Sequence, residues 1–108
     1  MYLDNGVIEM ETINDRWKLL VGLLARTKSQ YRDELMDEEL VYTASLAMEE
    51  KLDIARTKGR GGWWSEDCCT ENLRQMLKEH VEKGDMRDVM NLAAMIYYRE
   101  SVGIGENV

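Results

Sequence analysis

The chain has 108 residues, 44% of them hydrophobic and 32% charged, which is enough for one domain with a core and not comfortably for two. Its net charge of −7 makes it a poor nucleic-acid binder by bulk electrostatics. The absence of Pro removes one common cause of helix interruption, and eight Met with five Tyr and no Phe suit an adaptable interior or contact surface.

The charge is unevenly spread. Residues 1–50 hold eleven acids and five bases, residues 51–64 one acid and four bases, and residues 65–108 nine acids and five bases. A single basic island therefore sits between two acidic segments.

At the start, Asn5-Gly6 is a turn signal between short apolar pieces, read as a small hairpin or a loose arm over residues 1–11. Thr12 and Asp15 then form a capping-box pattern, with Asp in place of Glu. Ile13, Trp17, Leu20, Val21 and Leu24 recur at helical spacing, which predicts a first helix over about 13–31. Its apolar run Leu19–Ala25 falls well short of the roughly 20 residues that span a bilayer, and the preceding acids do not suit a signal peptide.

The acidic stretch Asp33–Glu39 reads as the N-terminus of a second helix, where carboxylates complement the macrodipole. Leu40, Val41, Ala44, Ala47, Met48, Lys51, Leu52 and Ala55 form its stripe, and Arg56, Lys58 and Gly59 its basic, glycine-capped end. The Gly/Trp loop over 59–69 follows.

Thr70 is the expected N-cap of a third helix carrying Leu73, Met76, Leu77, His80 and Val81. Lys83-Gly84-Asp85 reads as a stop and a restart. The final helix runs from about Met86 to Glu100, and from Val89 to Tyr98 it is apolar on nearly every side apart from Asn91, so it is expected at the centre of the fold or in an oligomer contact. Residues 101–108 read as a frayed tail. The predicted architecture is a single all-α domain, an irregular four-helix bundle.

Two constellations stand out. Lys58-Gly59-Arg60-Gly61-Gly62-Trp63-Trp64 combines glycines that expose amides, the cations Arg56, Lys58 and Arg60, and two aromatic faces for stacking. Helix capping and core packing account for most of the same residues, and the Gly-Lys-Ser/Thr ending of a Walker loop is missing. Arg56, Lys58, Arg60, Trp63 and Trp64 are the candidate ligand or partner-binding residues.

The second constellation is carboxylate: Glu49, Glu50 and Asp53 on one helix, then Glu82, Asp85 and Asp88. It resembles the all-α NTP pyrophosphohydrolases of the MazG type, which hold magnesium with an E-E-x-x-E helix and a later E-x-x-D helix. Asp53 departs from that pattern, and Gly84 falls between Glu82 and Asp85. The resemblance implies a Mg²⁺ site at Glu49, Glu50, Asp53, Glu82 and Asp85 and a nucleotide ligand. Solvated acidic helix faces give the same composition without a metal.

No catalytic residue is assigned. Adjacent Cys68 and Cys69 do not suit a disulfide framework, which points to a reducing cytosol. With His80 they fall short of any standard zinc spacing, so no cofactor is expected outside the magnesium reading.

A wider resemblance runs from Lys51 through Arg99. Lys58-Gly59-Arg60-Gly61-Gly62-Trp63, Cys69-Thr70, His80-Val81-Glu82-Lys83-Gly84-Asp85, Asp88-Val89 and Met95 look like a module of small uncharacterised bacteriophage and prophage proteins. It implies a phage origin and a place in the host-cell cytoplasm, with no mechanism to carry over. The functional expectation is an accessory protein that works without catalysis, by binding a host or phage macromolecule as inhibitor or adaptor. A nucleotide-binding protein or pyrophosphohydrolase is the alternative. A homodimer burying the last helix is compatible with the pattern.

Overall fold

A computed structural model describes residues 12–105 of the chain. They form four helices and no strand: α1 (Ile13–Arg26), α2 (Ser29–Thr57), α3 (Thr70–Lys83) and α4 (Met86–Val102). The fold is all-α, as the hydrophobic periodicity predicts. The expected N-terminal arm and the last three residues lie outside the described part. The helices divide into two compact units, Met1–Thr43 and Ala44–Val108, with α2 contributing to both.

In the first unit α1 opens on the predicted capping box. Asp15 N–H donates to Thr12 Oγ1 at 3.0 Å, and Thr12 N–H donates to Asp15 Oδ2 at 3.4 Å. The helix ends at Arg26, earlier than the apolar pattern suggests. Thr27 turns extended, its hydroxyl donates to Leu23 O at 2.7 Å, and Arg32 Nε donates to Leu24 O and Thr27 O at 3.1 and 3.0 Å. These bonds satisfy carbonyls that a helix end leaves bare. Because α2 starts at Ser29, Asp33–Glu39 lies within that helix and not at its N-terminus. Glu39 is placed there to take a two-pronged bond from Arg16, Nε to Oε2 and Nη2 to Oε1, each 2.6 Å. The same guanidinium lies 4.6 Å from the Tyr42 ring centroid, close enough for cation–π attraction. None of the described residues of this unit is buried.

The second unit holds the core. Leu73 of α3 meets Leu92 and Ile96 of α4, with Cys68, Leu77 and Met95 packed around them. Gly84 closes α3 in the left-handed conformation (φ 78°), and Asp85 is the N-cap residue of α4 without a side-chain capping bond. α3 and α4 thereby form a helical hairpin. The C-terminal half of α2 joins it through Asn91 Nδ2, which donates to Met48 O at 3.2 Å, and through the Arg87–Glu50 pair at 3.1 Å. Arg74 on α3 and Glu100 on α4 make a further ion pair.

Two expectations fail here. The N-cap of α3 is Cys69, not Thr70, and it makes no side-chain capping bond; the Thr70 hydroxyl is committed to Arg99 instead. The described part of the C-terminal tail folds back, with Ile104 N–H donating to Arg99 O at 2.9 Å and residues 103–105 half-buried.

Candidate functional site

The basic Gly/Trp loop follows directly on α2. Gly59 continues the chain in a left-handed conformation (φ 77°), with its N–H on Arg56 O at 3.0 Å. The part of the loop from Trp63 onward is then shaped by one side chain from the far end of the unit. Arg99 on α4 is completely buried. Its Nη1 donates to Trp63 O at 2.7 Å and Ser65 O at 3.0 Å, its Nη2 to Cys68 O at 2.7 Å, and its Nε to Thr70 Oγ1 at 2.9 Å. A guanidinium has five N–H donors in a fixed fork, so one residue can gather three carbonyls and a hydroxyl. Trp63 is also braced edge-to-face on Tyr98, with ring centroids 5.5 Å apart and planes at 87°.

Between this loop, α2, α3 and α4 lies a pocket of about 430 Å³. Its walls are mainly apolar, from Leu52, Ala55, Leu73, Met76, Leu92 and Met95. Lys58, Arg60 and Trp63 line it from the loop side, and Lys51, His80, Asp88 and Asn91 are its polar residues on the helices. A pocket of that size with a few convergent polar groups suits a small ligand or one inserted side chain.

Of the loop residues singled out from the sequence, Lys58, Arg60 and Trp63 therefore share one cavity. Arg56 does not line it and pairs with Asp53 at 3.2 Å on the exposed face of α2. Trp64 is exposed and does not line it either. Of the carboxylates, Glu50 faces Arg87, Asp53 faces Arg56, and Glu49 and Glu82 are exposed; none of the four lines the pocket. Asp85 joins a different group. Its Oδ2 is 3.3 Å from His80 Nδ1, and Asp88 Oδ2 is 3.7 Å from the same nitrogen. Lys51 Nζ holds the other Asp88 oxygen at 3.4 Å. The Asp85 carboxyl is held below its ordinary value chiefly by its hydrogen bond with Asp88, with burial opposing and Lys51 assisting.

Arg99 and Asn91 were not predicted as site residues. Arg99 did leave a trace, because Leu92, Ile96 and Arg99 fall at i, i+4 and i+7, on the buried face of α4. No family model matches this chain, and neither a curated protein nor a solved structure does.

Proposed function

We propose that the chain is a small accessory protein of the phage type that works without catalysis, by binding a protein partner of host or phage, and that α1 with the first part of α2 is its contact surface. One observation carries this reading. Ile13, Trp17, Leu19, Val21, Leu23, Tyr31, Leu40, Val41 and Tyr42 are all exposed on this unit, and none of its described residues is buried. Nine large apolar side chains exposed on a unit that buries none of its described residues leave apolar surface for a partner to cover. Fully burying an exposed Val, Leu or Ile contributes about 1.5–3 kcal/mol, and the side chains that are already partly covered contribute less. The interspersed acids Asp33, Glu34, Asp37 and Glu38 favour a partner surface with basic residues at its rim.

The test uses the double variant Leu19→Glu/Val41→Glu, whose side chains are 70% and 67% exposed in the wild type. Partners retained by the immobilised wild-type chain from host lysate should be lost by the variant, with helicity unchanged. Retention of the same partners by the variant refutes the assignment. Size-exclusion chromatography at several concentrations tells a second copy of the chain from a different protein.

A second reading rests on the pocket. Lys51, Lys58 and Arg60 bring three cations to an apolar cavity edged by Trp63, which suits an aromatic anion such as a nucleotide. Glu49, Glu50, Asp53 and Glu82 lie outside that cavity, so this reading is one of binding without hydrolysis. It predicts thermal stabilisation by a nucleotide that Arg60→Ala diminishes and that does not need Mg²⁺. A broad nucleotide panel without any shift removes it.

A further inference from the structure

Among the described residues, two buried side-chain polar atoms have no hydrogen-bond partner: His80 Nδ1 and Asn91 Oδ1. Both residues line the pocket under the Gly/Trp loop. Buried polar atoms find partners in roughly 90% of cases or more, so two such atoms in residues lining one cavity are a place to look for an ion or ligand. Asn91 is only 5% exposed, and its Nδ2 is committed to Met48 O, which leaves Oδ1 as its free end.

His80 Nδ1 has more than an empty valence beside it. Asp85 Oδ2 and Asp88 Oδ2 stand 3.3 and 3.7 Å away as ion-pair partners, and one donor atom from each of the three residues lies within 4.8 Å of the other two. An ion with bonds of about 2.0–2.1 Å holds neighbouring tetrahedral ligands roughly 3.3–3.4 Å apart. The observed separations are close to those of ligands around a common centre. Lys51 Nζ stands 3.4 Å from Asp88 Oδ1 and helps to orient the carboxylate whose Oδ2 faces His80.

We propose that His80, Asp85 and Asp88 form a binding site for one divalent transition-metal ion of the zinc class. The donor set is one imidazole and two carboxylates. It suits Zn²⁺ better than Mg²⁺ or Ca²⁺, which favour all-oxygen shells. The site shares Asp85 and Asp88 with the carboxylate constellation read from the sequence, but only Asp85 with the magnesium set, and it uses neither cysteine.

His80 is the single histidine of the chain, so its imidazole resonance reports the ion without ambiguity. Titration of the full chain with Zn²⁺, followed by calorimetry and by NMR of that imidazole, should give one ion per molecule and a shifted His80 signal. His80→Gln and Asp85→Asn should each weaken binding by roughly tenfold or more, an effect at least as large as loss of an outer-shell partner. Asparagine matches aspartate in size and is an equally good N-cap residue, so the Asp85 variant is expected to fold, and circular dichroism of both variants separates lost binding from lost structure. Cys68→Ser/Cys69→Ser should bind as the wild type does. The proposal is overturned by absence of stoichiometric uptake, by uptake that survives both ligand variants, or by uptake lost with the cysteines. The first unit takes no part, so this outcome is independent of partner capture.

Discussion

At the scale of single residues the molecule depends on Arg99. A fully buried guanidinium is tolerated only when its donors are satisfied, and here the acceptors are three loop carbonyls and a threonine hydroxyl. Arg99→Met keeps the volume and removes every donor, leaving those acceptors buried and unpaired. The expected loss is on the order of 3–5 kcal/mol, read from urea unfolding, with the tryptophan near-UV signal changed even where the helices persist. Arg99→Lys should recover only part of it, because an ammonium cannot span the same fork. Such a clamp is poorly legible in sequence. Carbonyls belong to every residue type, so the positions that Arg99 holds carry no signature of their own. The candidate site was legible to a similar half-extent: Lys58, Arg60 and Trp63 announce themselves by composition, whereas His80, Asp88 and Asn91 meet only once α3 and α4 have paired.

At the scale of elements the helix stops and starts explain what was readable. Gly84 is a clear case, since its φ of 78° is one that side chains with a Cβ rarely adopt. Nothing lies within 4 Å of a Cβ built there, so Gly84→Ala tests conformation alone. It should cost about 1–2 kcal/mol, seen as a lower Tm with the hairpin retained. The end of α1 was harder to read, because Thr27 and Lys28 carry neither the glycine nor the proline that usually marks a break. Because the break comes at Thr27-Lys28, α2 already starts at Ser29, and Asp33–Glu39 falls inside the helix and not at the N-terminus that its acidity suggests. One of those acids, Glu39, gives the first unit a pH dependence. Its carboxyl is held below the ordinary 4.5, chiefly by the hydrogen bond from Arg16. A depressed folded value means that the stabilisation is fully present above pH 4.5 and lost as the pH falls through the lower folded value. Acid titration followed by α1 amide exchange should show this loss, and Glu39→Gln should remove the pH-dependent part.

At the scale of the whole molecule, buried groups are distributed unequally. Among the described residues the five buried ones, Leu73, Asn91, Leu92, Ile96 and Arg99, all belong to the second unit, and the first has none. Opening free energies follow buried contacts, so amides of α1 should exchange faster than those in the middle of α3 and α4, by on the order of 100-fold or more. Hydrogen exchange with mass spectrometry checks this, and equal protection across the chain would contradict it. A bound partner should slow α1 selectively. No described helix is long and apolar enough to cross a membrane, so the exposed apolar face of the first unit is not a spanning segment.

The clamp on the loop also divides what can vary from what cannot. Every acceptor of Arg99 lies at Trp63 or beyond, while Arg60 and Gly61 sit between two positive-φ glycines, Gly59 and Gly62, and line the pocket from outside the clamped stretch. Substitutions at 60 and 61, or a short insertion between them, would re-tailor the pocket's mouth without disturbing the clamp. The same changes between Trp63 and Thr70 would disturb it. The pocket's lip and the clamp that holds the loop thus lie on separate stretches of chain, so library screening at the two codons 60 and 61 can vary the one while leaving the other in place.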